Sequence, residues 1–370
     1  MSDVIRIVHI GAGNHSVTNK SHHRHLIKQA LLCDGFLESS RLLEISKWTN
    51  TGFGSSLTLE GKVECDASFI HYKSGKIRSR SIVGISVENP IAETWKLYDN
   101  LEETYSRTSS GLSCPTSLHY ESAEKSIDFV DREINKHKPL EIVHLGKSTR
   151  NLVSNRARRT WELYRANIFA SGISVQDSVD AISDTIGIVE IAPVDGITKI
   201  SSSSGGNFFK LPGRIGCAGV VGAAIDLKNS DSYEVCCMCS GNGEDVITLL
   251  LANYVSTQIL TKLETLKESK EEEELDDELD YGALLVDIIK KHTRKYELNS
   301  CKEQPEPYLG AIVSVRHRQS SRTRIVYCHS TESFYFGFIN KSDGEPNIVL
   351  SRLTSIDKIG QVYSYGEFIV

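Results

Sequence analysis

Thr185 stands about halfway along the 370-residue chain, in Ser183-Asp184-Thr185-Ile186-Gly187-Ile188-Val189-Glu190. A threonine hydroxyl keeps its proton far above neutral pH and is a poor nucleophile. It is activated when the same residue carries a free α-amine, which titrates near ~8 and can act as the base. A cut between Asp184 and Thr185 would create that amine. In the intact chain the hydroxyl can attack only the neighbouring Asp184 carbonyl, which covalent connection holds in place. Three segments follow at short intervals: Ser201-Ser202-Ser203-Ser204-Gly205-Gly206, Lys210-Leu211-Pro212-Gly213-Arg214-Ile215-Gly216 and Ser240-Gly241-Asn242-Gly243-Glu244. The Arg214 guanidinium can hold a carboxylate through two parallel hydrogen bonds. Each residue also has an ordinary reading. Thr185 could simply open a β-strand, Ser204 could belong to a polar run, and Arg214 could form a weak surface ion pair.

Together these segments resemble the type 2 asparaginase family of N-terminal nucleophile hydrolases, and within it the threonine aspartase branch, most closely its fungal-type members. The resemblance covers nearly the whole chain. It includes His9-Ile10-Gly11-Ala12-Gly13-Asn14-His15-Ser16, Thr49-Asn50-Thr51-Gly52-Phe53-Gly54-Ser55 and Gly61-Lys62-Val63-Glu64-Cys65-Asp66-Ala67-Ser68. Near the end come His329-Ser330-Thr331-Glu332-Ser333 and Ser351-Arg352-Leu353. The aspartate before the threonine is specific to that branch, since asparaginases usually have glycine there. The resemblance implies that Ser204 orients the α-amine and passes protons. It implies that Arg214 binds the substrate carboxylate, and that the Ser240 hydroxyl and Gly241 N–H form the oxyanion hole. Asn50 would contribute from the first segment, or else only shape a tight turn. Cys217 stands where the asparaginases carry an aspartate that accepts a substrate ammonium. A cysteine cannot supply that charge, which favours an aspartyl residue inside a peptide; Cys217 is equally a small buried hydrophobe.

The elements that must position these groups can be read from pattern. Residues 4–10 suit a buried strand and roughly 20–47 a helix, with Leu26, Ile27, Ala30, Leu31, Leu37 and Leu42 on its apolar face. Asn89-Pro90 opens another helix. Residues 103–182 are the least readable part, where the family implies a long, poorly ordered end of the first subunit. Residues 185–192 and 197–204 read as a hairpin across Pro193-Val194-Asp195-Gly196. Further strands are expected at 233–240, 309–317, 324–329, 333–340 and 362–369, with one long helix over 243–267. Residues 264–280 hold ten acids and two lysines, a net of −8, which leaves +2 for the rest of a chain whose total is −6. This tract reads as an exposed insertion. Several features point elsewhere only superficially. Gly11-Ala12-Gly13 lacks the third glycine of a dinucleotide loop. In Cys236-Cys237-Met238-Cys239 the side chains alternate in direction, so no metal is expected. His22, His23 and His25 are expected to be exposed on a helix. Arg156-Ala157-Arg158-Arg159 is either a nuclear import segment or a solvated helix face.

The expectation is an α/β, four-layer αββα N-terminal nucleophile sandwich. Residues 1–184 and 185–370 would become the two subunits of one domain, with the acidic insertion near 264–280. The expected activity is that of a self-cleaving threonine endopeptidase that cuts after selected aspartates through an acyl-enzyme on Thr185; the alternative is an L-asparaginase or β-aspartyl (isoaspartyl) peptidase. No cofactor is required. The expected partners are protein substrates with exposed aspartates and a second αβ unit. Near-neutral charge outside the tract argues for neither nucleic acid nor membrane. The N-terminus shows no signal-peptide pattern, and the nine cysteines are irregularly spaced. An intracellular location, in cytoplasm or nucleus, with reduced thiols is therefore expected.

Overall fold

The computed structural model describes residues 3–106, 113–123, 152–169, 184–267, 279–302, 304–320 and 322–370. Its strands are β1 (Ile5–Gly13), β2 (Cys65–Lys73), β3 (Lys76–Ile85), β4 (Ser117–His119), β5 (Ile186–Ala192), β6 (Ile197–Ser204) and β7 (Ile225–Asn229). They continue with β8 (Tyr233–Gly241), β9 (Leu309–His317), β10 (Thr323–His329), β11 (Ser333–Asn340), β12 (Asn347–Arg352) and β13 (Ser364–Ile369). The helices are α1 (Lys20–Leu32), α2 (Phe36–Glu44), α3 (Pro90–Ser106), α4 (Asn155–Phe169), α5 (Gly243–Leu249), α6 (Leu251–Lys267) and α7 (Tyr281–Thr293).

Eight strands form one sheet in the order β12-β11-β1-β5-β6-β2-β3-β4, and five form a second in the order β13-β10-β9-β8-β7. Only the β3–β4 pairing is parallel among those described. Strand β1 explains the layering. It is buried throughout, and successive side chains point to opposite faces. Val8 and Ile10 join Ile27 and Leu31 of α1 in one core. Ile5 and Ile7 join Ile225, Met238, Ile312 and Ile325 of the second sheet in another. A third core packs Val235, Cys237 and Val313 against Val255, Ile259, Leu285 and Ile289 of α6 and α7. A strand buried on both faces reads as an unbroken apolar run, as residues 4–10 do.

The expected hairpin is present, with Ile186 opposite Ser203 and Ala192 opposite Ile197. Extending that register by one residue sets Thr185 opposite Ser204. Two expected helices are broken. The span 20–47 divides between Cys33, whose extended backbone ends α1, and Gly35, whose φ of 82° precedes α2, and Leu37 is exposed rather than buried. The span 243–267 bends by 46° at Leu250, which adopts a left-handed φ of 42°. His23 is buried, contrary to its expected exposure, while His22 and His25 are exposed. Strands β2, β3, β4, β7 and β12 were not among the expected elements.

The expected disorder before the cleavage point falls partly on residues 107–112, 124–151 and 170–183, outside the described residues. Most of the acidic tract, residues 268–278, also lies outside them. Its two ends do not behave as an insertion. Glu264 accepts a hydrogen bond from the Ser230 hydroxyl. Asp280 caps α7, its Oδ1 accepting from Ala283 N at 2.8 Å.

Candidate active site

Thr185 is buried at the head of β5. Its amide donates to Ser240 Oγ at 3.2 Å, and its Oγ1 lies 3.4 Å from Cys217 Sγ. Ser240 is the penultimate residue of β8 and also accepts from the Ala12 amide at 3.1 Å. With both lone pairs of Ser240 engaged, its remaining capacity is one O–H donor, which is what a developing oxyanion needs. The next residue must be glycine. Gly241 has φ +127°, and a Cβ there would lie 2.4 Å from the Tyr308 carbonyl oxygen. An open cleft of about 580 Å³ begins beside Gly241, lined in part by Asn207, Asn242 and Tyr308. Burial pushes the Cys217 thiol up, so next to Thr185 it stands as a neutral group and not as an anion.

Arg214 lies beyond Cys217. Its Nε donates to Glu244 Oε1 at 2.8 Å, and Nη2 is 2.7 Å from the same oxygen. Nη2 is buried and its contact is not aligned as a hydrogen bond, so the guanidinium rests against Glu244. Three glycines make room for it. A Cβ would come within 2.3 Å of Arg214 Nη1 at Gly206, within 2.6 Å of Nη1 at Gly216, and within 2.8 Å of Nη2 at Gly243.

Asn50 and Ser204 both hold the Gly205-Gly206 turn in the uncleaved chain. Asn50 Nδ2 donates to Gly206 O at 2.8 Å, and its Oδ1 accepts from Ser56 N at 2.8 Å. Its carbonyl takes the Gly205 amide at 2.6 Å. Asn50 therefore clamps the Gly205-Gly206 turn, and it retains one N–H and one Oδ1 lone pair beyond these bonds. Ser204 Oγ accepts from Gly206 N at 2.9 Å. Its hydroxyl sits across the sheet from Thr185, but it is Ser240 that holds the Thr185 nitrogen.

Sequence reasoning passed over three residues here. Lys210 is buried and donates to the carbonyls of Ser56, Glu64 and Gly205, tying the floor of the site together. Asp66, on β2, accepts from Gly216 N at 2.6 Å and Gly84 N at 3.2 Å. Burial raises its pKa to about 6 against those bonds and the nearby Lys210 and Arg214 charges. Asp66 thus fixes the loop that carries Arg214 and Cys217. Both residues lie in quoted motifs, and a charged residue between apolar or glycine neighbours was the available signal. His15 is the third. Its ring is buried, stacks on Tyr335 and lies 3.3 Å from Asp184 Oδ2. Arg156 is no simple import residue. It donates to the carbonyls of Thr49 and Gly54, leaving Arg158 and Arg159 exposed.

Residues 15–286 match the family model described as Asparaginase (Asparaginase_2), and the chain belongs to that type 2 asparaginase family, within the N-terminal nucleophile hydrolases. A plant-type L-asparaginase of Pyrococcus furiosus is 26% identical over 237 residues, covering 61% of this chain and 66% of that protein. A plant-type L-asparaginase of Pyrobaculum calidifontis is 26% identical over 245 residues, covering 60% of this chain and 70% of that protein. A probable isoaspartyl peptidase/L-asparaginase 2 of Arabidopsis thaliana is 27% identical over 222 residues, covering 58% and 63%. The chain spans just under two thirds of the length of the first of these relatives. None of the three is named a threonine aspartase.

Proposed function

We propose that this hydrolase matures by cutting itself between Asp184 and Thr185, and that the mature enzyme cleaves peptides after an internal aspartate. In the first reaction Thr185 Oγ1 adds to the Asp184 carbonyl carbon, the C–N bond breaks, and the nitrogen leaves as an amine. Water then hydrolyses the ester, giving an Asp184 carboxylate and a free Thr185 N-terminus. In the second reaction the Thr185 amine takes the Oγ1 proton, the acyl-enzyme forms, and the leaving amine receives the proton. The three cores described above support reading the fold as a four-layer αββα sandwich, with residues 1–184 and 185–370 as its two subunits.

One observation carries the peptide reading: Cys217, neutral and 3.4 Å from Thr185 Oγ1, stands beside Arg214 where a free amino acid would need an ammonium acceptor. Asp66 does not replace that acceptor, because it is 5% exposed and tied to the Gly216 and Gly84 amides. The second reading is a small-molecule amidohydrolase acting on asparagine or β-aspartyl dipeptides. The names of the three relatives favour it. On either reading no organic cofactor enters the reaction. Pairing of two αβ units and an intracellular location belong to the same proposal.

The purified chain should yield fragments of 184 and 370 − 184 = 186 residues, the second beginning at Thr185, and Thr185→Ala should stay whole. Efficient cleavage of the alanine variant without added protease would remove the self-processing mechanism. An Asp-scanning peptide library and free asparagine then separate the two activities. Peptide cleavage after Asp supports the first reading, and ammonia release from asparagine with intact peptides supports the second.

A further inference from the structure

In the uncleaved chain the Asp184 side chain does not lie on Arg214. It lies over the Gly11-Ala12-Gly13 turn, where a Cβ on Gly11 would fall 2.0 Å from Asp184 Cβ and one on Gly13 would fall 1.9 Å from Asp184 Oδ1. The side chain is 1% exposed. His15 Nε2 closes the chamber 3.3 Å from Oδ2, and the Glu332 carboxylate, held by the Tyr308 hydroxyl, faces it. The two C-terminal motifs build this wall. Ser333 Oγ donates to Gly13 O at 2.9 Å and accepts from His15 N at 3.2 Å. Arg352 donates to the His15 carbonyl.

We propose that the Gly11–Gly13–His15 chamber is the recognition site for the aspartate of the chain's own scissile bond, separate from the Arg214 site that holds the aspartate of other substrates. The inference rests on the self-cleavage proposed above. The chemistry of the chamber suits a protonated carboxyl. Ser333 spends its single hydroxyl proton on Gly13 O, so at 2.9 Å it stands as acceptor for His15 Nδ1–H. The 2.9 Å Ser333 contact favours that tautomer over one in which Nε2–H donates to the Ile10 carbonyl at 3.3 Å. Nε2 then carries the lone pair 3.3 Å from Asp184 Oδ2, whose oxygens have no aligned partner in the uncleaved chain, and only a neutral Asp184 can donate to it. Burial, followed by Glu332, holds the Asp184 carboxyl at about 8, against a weaker opposing pull from Arg156. Burial together with the neighbouring His23 keeps His15 neutral, near 3. Arg214 contributes to neither group. It stays paired with Glu244, a partner that a charged carboxylate from a second molecule would share or displace.

The test is self-cleavage of the full chain made by cell-free translation, followed between pH 6 and 9 as the appearance of the fragment beginning at Thr185. Wild type should slow above about pH 8 as Asp184 loses its proton. Asp184→Asn, neutral and of the same shape, should still cleave and should lose that alkaline fall. His15→Phe keeps the ring against Tyr335 but should slow cleavage at least about tenfold, the scale of one lost hydrogen bond; His15→Gln, which can still face Asp184, should recover part of the rate. Arg214→Ala should self-cleave and then fail on an Asp-containing peptide. If wild type cleaves while Arg214→Ala stays whole, or if Asp184→Asn stays whole at every pH, the separate chamber is overturned and the proposed maturation survives. A wild-type chain that never cleaves overturns both.

Discussion

At Thr185 the decisive contact is with Ser240. That hydroxyl accepts the Thr185 and Ala12 amides together, so it holds the nucleophilic residue against the β1 turn while its own proton points elsewhere. Ser240→Ala would leave two buried amides without an acceptor, at about 1–3 kcal/mol each. It would also remove one oxyanion donor, worth roughly 10²–10³ in kcat. The expected result is a lower melting temperature together with slow self-cleavage. A variant that melts lower but keeps full turnover would reduce Ser240 to a structural residue. Thr185, Ser204, Arg214 and Ser240 could be singled out because a rare order of polar residues is visible in one dimension. Which hydroxyl reaches which nitrogen was not, because that depends on the end of β8 crossing beneath the end of β1.

The loops and helices around the site are held by backbone carbonyls more than by one another. Asn50, Lys210 and Arg156 each bind carbonyls of the 49–64 or 205–206 segments. Asn50→Ala removes a donor to Gly206 and an acceptor for Ser56, and should cost about 2–4 kcal/mol with kcat falling and KM nearly unchanged. A large KM change would instead argue for direct substrate contact. The acidic tract behaves differently. Replacing residues 268–278 with a Gly/Ser linker should leave both cleavage reactions nearly intact. Extending the replacement through Asp280 should cost about 1 kcal/mol more, because the α7 cap is lost. Equal melting temperatures for the two replacements would contradict that role. The caps and breaks also explain the misread helices. Periodicity ran through residues 33–35 and Leu250, but extended backbone at Cys33 and a left-handed φ of 42° at Leu250 ended the helices there.

Across the whole molecule, buried titratable groups of opposite kinds set the pH dependence. Burial is the leading cause holding His9 and His15 near 3 and His23 and His329 near 4. The unfolded chain therefore takes up protons below about 6.5 that the folded chain refuses, and stability is lost as pH falls from there. Burial likewise raises Glu44 and Asp184 to about 8 and Asp66 to about 6. Here the folded chain keeps protons that the unfolded chain has released, so stability is lost as pH rises from about 4 towards 8. The two trends should balance near pH 6–6.5. Thermal unfolding of the Thr185→Ala chain, which keeps Asp184 in place, should show its highest midpoint in that range. Glu44→Gln should flatten the alkaline side. A midpoint that climbs steadily to pH 8 would show that these carboxyls are not buried in neutral form.

The residues of this chain single out, by themselves, an Asp184-Thr185 junction, Arg214 among glycines, and the Ser240-Gly241 pair as the candidates for its chemistry. They also determine the hairpin that follows Thr185, because Pro193-Val194-Asp195-Gly196 marks a turn between two strand-like runs. The tertiary structure alone decides what the glycines of residues 11–13 are for. They make space for Asp184, which lies more than 170 residues away in the sequence. It also decides that His15, Ser333 and Arg352 form one wall, and that Asn50 holds a turn. Such assignments depend on distances across strands that are remote in the chain, and local propensity carries no information about them.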